Sequence, residues 1–353
     1  MSETPRSQIW SGVPMALASA VLFGASAPLA KVLLGSIAPQ MLAGLLYLGA
    51  GTGLTIVYLG RAAFGVPVAE ASLRRVDLPW LAAVVILGGC LAPLLLMMGL
   101  QRTSASSGSL LLNLEGLATM AIAWVIFKEN VDSKVLLGAL AILTGAVILA
   151  WDGQSITIDA GGALIAGACL AWGLDNNFTR KLSAADPVVT TIIKGLVAGT
   201  VNMGLALAIG SALPPLSVIG AAALVGFFGV GVSLILFVLA LRHLGTARTG
   251  AYFSLAPFIG AVVAILLLRE PLTPQLALAG LLMGGGIWLH LAERHEHDHE
   301  HEFLEHDHSH VHDEHHRHHA EEMLERHSHW HRHEPIRHKH PHYPDLHHRH
   351  RHN

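Results

Sequence analysis

Three ionisable residues sit deep inside apolar runs: Glu115, Asp175 and Lys194. A carboxylate in such a run can take up and release a proton, bind a cation, or hydrogen-bond a neighbouring helix. Glu115 lies at the centre of LLLNLEGLAT (110–119), 13 residues from both Arg102 and Lys128. Asp175 and Lys194 lie about nine residues on either side of Ala184–Ala185, the expected turn between two antiparallel helices. That spacing puts them at similar depth, where they could pair. Such a pair reads equally as a switch that substrate or protons compete for, or as a static tether, because buried ion pairs are weak evidence by themselves. Asn176 and Asn177 extend the polar cluster, and Thr190 and Thr191 fall a turn from Lys194. Asn113 is two residues from Glu115 and faces nearly the opposite way on a helix. Gly108, Leu111, Thr119 and Ile122 are expected on the Glu115 face.

The elements that position these groups follow from composition. Of 353 residues, 52% are hydrophobic and 13% charged, against roughly 25% charged in a soluble domain. The apolar residues form blocks near the ~20 residues that one helical crossing needs. An all-α polytopic membrane protein is the expectation, with ten transmembrane spans: about 11–34, 37–60, 78–100, 104–127, 133–151, 159–182, 187–210, 216–241, 246–268 and 274–292. Pro28, Pro93 and Pro257 are expected to interrupt spans one, three and nine. GxxxG patterns at Gly49–Gly53, Gly195–Gly199 and Gly280–Gly284 allow close helix contact. Trp10, Trp80, Trp151 and Trp288 fall near span ends, where interfacial anchors belong. Cys90 and Cys169 both lie in apolar runs and read as packing residues.

Orientation follows from basic residues at the span ends. With the N-terminus inside, inner ends and loops carry Arg6, Arg61, Arg74, Arg75, Lys128, Lys134, Arg180, Lys181, Arg242 and Arg248. The outer ones carry Lys31, Arg102 and Arg269. Both termini are therefore expected in the cytoplasm, with the protein in the cell membrane.

The chain repeats itself. LLLNLEGLATMAIAWVIFKENV (110–131) aligns with AYFSLAPFIGAVVAILLLREPL (251–272), matching Glu129 to Glu270 and Lys128 to Arg269. SASSG (104–108) meets GTART (245–249), and LFGASAPLAK (22–31) meets AWGLDNNFTR (171–180). Five helices per half would make the second repeat inverted, an arrangement typical of secondary transporters with a midplane site. The polar groups do not repeat. Glu115 aligns with Ala256, and Asp175–Asn177 with Ser26–Pro28, so the cavity would be lopsided.

Ten spans, a five-plus-five repeat and a glutamate closing spans four and nine (FKENV, LREPL) resemble the EamA-type drug/metabolite transporter superfamily over about residues 11–292. The resemblance implies two inverted five-helix bundles, 11–151 and 159–292, around a central cavity. It also implies that helices five and ten are peripheral, at a homodimer contact.

Residues 293–353 are a different material, holding 23 of the 25 histidines. Few apolar residues and many charges argue for a disordered tail. Alternating His-x-His tracts read as metal-binding by composition. His295, His297, His299, His301, His306, His308, His310 and His312 are the candidate ligands, and Zn, Ni or Co the candidate ions. HEHDH (295–299) satisfies the H-E-x-x-H zinc-protease pattern only because every second residue there is histidine.

No nucleotide-binding G-x-x-x-x-G-K-[ST] loop, nucleophile–base pair or nucleic-acid-binding patch is visible. An enzyme is therefore not expected. The leading expectation is a secondary transporter of small polar metabolites by alternating access, with Glu115 as a proton or cation site. The alternatives are a divalent-metal permease, or a membrane-anchored metal sensor using the tail.

Overall fold

The computed structural model describes residues 5–64, 73–126, 133–151, 159–182, 186–244, 246–291, 296–300, 304–310, 327–333 and 337–341. Among the described residues, the apolar runs of the membrane part are all helical. A bilayer core offers backbone groups no water, so each apolar run must satisfy its N–H and C=O groups internally.

Helix α1 covers Pro5–Leu33 and α2 Pro39–Ala63. Helix α3 covers Arg75–Arg102 and contains a π-helical turn, Val85–Leu91, just before Pro93. Helix α4, Ala105–Val125, breaks at Leu112–Asn113 into Ala105–Leu111 and Leu114–Val125. Helices α5 (Ser133–Leu149), α6 (Ala160–Thr179) and α7 (Pro187–Ala208) follow. Helix α8 joins Leu216–Gly226 and Ser233–Leu244 through a second π-helical turn, Phe227–Val232. Helix α9 breaks into Thr246–Phe253 and Ala256–Leu268, and α10 spans Pro274–Leu291.

Among the described residues, seven of these helices are long and apolar enough to cross a membrane: α1–α4 and α7–α9. Helices α5, α6 and α10, expected as spans, fall outside that group. Helix α5 has 17 residues, and α6 carries Asp175, Asn176 and Asn177 in its last turns.

The packing pairs helices across the two halves. Helix α2 packs on α7, and α5 on α10. Helix α1 packs on α8 and α9, as α6 does on α3 and α4. The α2–α7 crossing is close because both helices present glycines. A Cβ on Gly195 would stand 2.8 Å from the Gly51 Cα, and one on Gly199 would stand 2.6 Å from the Leu48 N. Gly280 and Gly284 have more room, so that GxxxG pattern makes no such contact.

Two helix breaks differ from expectation. Helix α1 runs through Pro28 without interruption. Helix α4 breaks without a proline, through i→i+3 bonds of Leu112 to Ser109, Asn113 to Leu110 and Glu115 to Leu112. A tightened turn of this kind marks hinges and strained segments. Its consequence is that Gly108 and Leu111 do not continue one unbroken face to Glu115.

In the tail, the described residues lie in antiparallel strand pairs: Glu296–Glu300 with Arg337–Pro341, and Leu304–His310 with His327–His333. The His-x-His alternation has the two-residue period of a strand, a signal that composition does not weigh. The backbone register sets His306 opposite His331 and His308 opposite His329. His297, His299 and His310 also lie on strands, while His295, His301 and His312 lie outside the described residues. Lys128 and Glu129 also lie outside them.

Candidate functional site

The break in α4 places Glu115 in the first turn of Leu114–Val125, facing α6. The α4–α6 crossing is tight, because a Cβ on Gly173 would come 2.8 Å from the Ala118 Cβ. Close approach lets short polar side chains reach across. Asn176 Nδ2 donates to Glu115 Oε1 at 3.0 Å and to Thr119 Oγ1 at 3.1 Å. Thr119 Oγ1 donates to the Glu115 carbonyl at 2.9 Å, and Asn177 Nδ2 to the Thr119 carbonyl at 3.0 Å. The Glu115 carboxylate is thus held by one neutral donor, the Asn176 amide. Among the described residues no cation pairs with it, and it is half-buried rather than sealed.

One turn away, Asp175 and Lys194 join α6 to α7. Lys194 Nζ donates to Asp175 Oδ2 at 2.5 Å, and Thr179 Oγ1 to Asp175 Oδ1 at 3.5 Å. The lysine side chain is 18% exposed and the aspartate 5%, so the pair is largely withdrawn from solvent. Asp186 caps α7 by accepting from Val188 N at 2.7 Å, which sets the start of the helix that carries Lys194. Thr190 and Thr191 bond back to the Asp186 and Pro187 carbonyls and take no part in the pair.

The π-helical turn of α3 forms the third wall. Such a turn leaves carbonyls without the usual i→i+4 donor, and it occurs often at functional sites. Here side chains supply the donors. Tyr47 Oη and Trp172 Nε1 donate to the Gly88 carbonyl at 2.8 and 3.1 Å. Asn202 Nδ2 donates to the Cys90 carbonyl at 3.2 Å. Gly88 itself lies against the ion pair, and an added Cβ would overlap Asp175 Oδ2. Tyr47, Trp172, Asn202 and Gly88 were not singled out from sequence. A glycine pair, Gly88–Gly89, in an otherwise bulky apolar run was the available signal.

Asn113 is not part of this cluster. It is buried at the α4 break, donating to the Leu110 carbonyl at 2.8 Å and lying 3.7 Å from Met283 Sδ on α10. The structure therefore brings together Glu115, Asn176, Asn177, Asp175 and Lys194, and leaves Asn113 aside.

The family model described as the EamA-like transporter family matches twice, over residues 10–151 and 160–292. The chain belongs to the EamA-like transporter family. As a family member it is a multi-pass membrane protein and a transporter of small molecules, not an enzyme. It is 31% identical over 296 residues to an uncharacterized transporter of Methanothermobacter thermautotrophicus, covering 80% of this chain and 86% of the relative. It is 23% identical over 262 residues to the uncharacterized transporter YyaM of Bacillus subtilis, covering 71% and 84%. A crystal structure 18% identical in sequence shares the fold with a TM-score of 0.58, covering 79% of this chain and 95% of that one. The matched segments of this EamA-like transporter take in every residue of the site and stop short of the tail.

Proposed function

We propose that the protein is a secondary transporter of small polar metabolites that works by alternating access, with Glu115 as the proton-coupling carboxylate. The observation that carries this is the placing of Glu115. It lies at a break in a membrane helix, is held by one uncharged donor, and has no cation partner among the described residues. Intramembrane carboxylates are costly and functional by default. One oriented by an amide and open on one side can exchange a proton or bind a positively charged group. The neighbouring Asp175–Lys194 pair is self-neutralised and fixes the relation of α6 to α7.

In this reading the chain crosses the membrane ten times as two inverted five-helix repeats. Support comes from the two family-model matches, from π-helical turns at Val85–Leu91 and Phe227–Val232, and from breaks at equivalent points of α4 and α9. The excess of basic residues at one set of helix ends argues for cytoplasmic termini in the cell membrane. Leu136, Leu137, Leu140 and Leu143 of α5 and Leu278, Leu281 and Trp288 of α10 are exposed and offer an apolar surface for the proposed homodimer contact. The histidine-rich tail binds Zn, Ni or Co as an accessory, through residues such as His297, His299, His306, His308 and His310.

The test is reconstitution. Proteoliposomes carrying the wild-type protein should accumulate a member of a metabolite panel when a pH gradient is imposed, and Glu115→Gln should abolish the pH-driven component. Undiminished pH-driven flux in Glu115→Gln would remove Glu115 from the coupling role.

A further inference from the structure

Glu270 follows the last turn of α9, after Arg269, which adopts a left-handed conformation with φ of 53°. The resulting turn sends the Glu270 carboxylate to the start of α4. Glu270 Oε1 accepts from Ala105 N, and Oε2 from Ser106 N, both at 2.8 Å. These are charge-assisted bonds to free N–H groups at a helix start, where a negative charge is also favoured by the backbone dipoles. A second strap reaches the same corner. Lys31, in the last turn of α1, donates to the carbonyls of Leu100, Gln101 and Thr103, the last at 2.9 Å. The ends of α1 and α9 are therefore both tied to the α3–α4 corner by single charged side chains.

Below this corner the seam is closed. Ala105–Leu111 packs on Ala256–Leu268. Gly24 of α1 and Gly260 of α9 meet so closely that neither has room for a Cβ, and Ser109 of α4 lies against Gly260. Ser109 Oγ is buried there without a hydrogen-bond partner. Unsatisfied buried hydroxyls are rare in native structures and call for an explanation; one that gains water when the seam parts is such an explanation. At the opposite end the matching segments, Leu114–Val125 and Thr246–Phe253, share no comparable packing among the described residues. Helices α4 and α9 are thus together above their breaks and apart below them, and Glu115 belongs to the separated segment.

We infer that Glu270 is the latch of a gate formed by α1, α4 and α9, holding the seam shut in the state seen here. The two N–H bonds of Ala105 and Ser106 must break when the gate opens, and Lys31 keeps the α3–α4 corner in place to receive the carboxylate again. This rests on the alternating-access reading above and adds to it which end is closed and by which residue.

The experiment reads accessibility and needs no substrate. Ser109→Cys is introduced in a Cys90→Ala background, leaving the buried native Cys169 as an internal control. The purified full chain in lipid nanodiscs is treated with a water-soluble maleimide, and labelling at each cysteine is followed by peptide mass spectrometry. With Glu270 intact, position 109 should label slowly. Glu270→Ala should raise that rate at least tenfold with Cys169 still protected, and Glu270→Gln, which keeps one acceptor, should fall between. An unchanged rate at position 109 overturns the latch. So does a parallel rise at Cys169, which would mean general loosening and reduce Glu270 to a structural cap. Because flux is measured separately in proteoliposomes, transport that persists beside an unchanged labelling rate refutes the latch alone.

Discussion

The carboxylate of Asp175 rests on the bare Cα of Gly88, so the ion pair of α6 and α7 is seated on the π-helical turn of α3. The close fit depends on a missing side chain. A methyl group at residue 88 would overlap Asp175 Oδ2 and stand 2.6 Å from Lys194 Nζ. Gly88→Ala should therefore push the pair apart, at a cost of about 1–3 kcal/mol typical of overpacking. A lower melting temperature in detergent, together with weakened flux, is the expected result. Unchanged melting would mean that α3 shifts freely and does not seat the pair.

Breaking the pair should differ from removing it. Asp175→Asn or Lys194→Met alone leaves a buried charge unpaired, and such losses reach about 3–5 kcal/mol. The double variant Asp175→Leu/Lys194→Met removes both charges and should recover most of the stability. Flux then separates the two roles. A stable, active double variant marks a static tether, and a stable, inactive one marks a switch. The seating of the pair against α3 and its low exposure favour the tether, so recovery of flux is the expected outcome.

Tyr47 and Trp172 share one acceptor, the Gly88 carbonyl. Tyr47→Phe should cost about 1 kcal/mol, the usual net value of one hydrogen bond. Combining it with Trp172→Phe should cost more than the sum of the two, because the second change leaves a buried carbonyl without either donor. A double-mutant cycle on melting free energies measures this coupling, and additive losses would refute a shared role.

Truncation after residue 292 tests the tail. The second family match ends there. The truncated protein should keep its metabolite flux and lose most of its Zn²⁺ binding in equilibrium dialysis. Loss of flux with the tail would favour the metal-dependent alternatives.

Much of the membrane part was legible in the chain. Long apolar runs placed α2 and α7 to within three residues at each end, because hydropathy is a local signal. The shared depth of Asp175 and Lys194 followed from their equal spacing about one turn, and the two residues do pair. The break in α4 was not legible. It carries no proline, and LLLNL reads as uninterrupted helix.

What the sequence by itself determined is therefore the solvent this protein lives in, the helices that solvent demands, and the depth of its rare charges. Hydropathy and spacing are properties of a single run, so one run suffices to read them. Only the tertiary structure decided which polar groups meet. Asn176 reaches Glu115 across 61 residues of chain, and Glu270 reaches Ala105 across 165. Those distances close because glycines such as Gly173 and Gly88 let particular helices touch. Which glycine faces which neighbour is set by the crossing of two helices, a quantity that neither run contains alone.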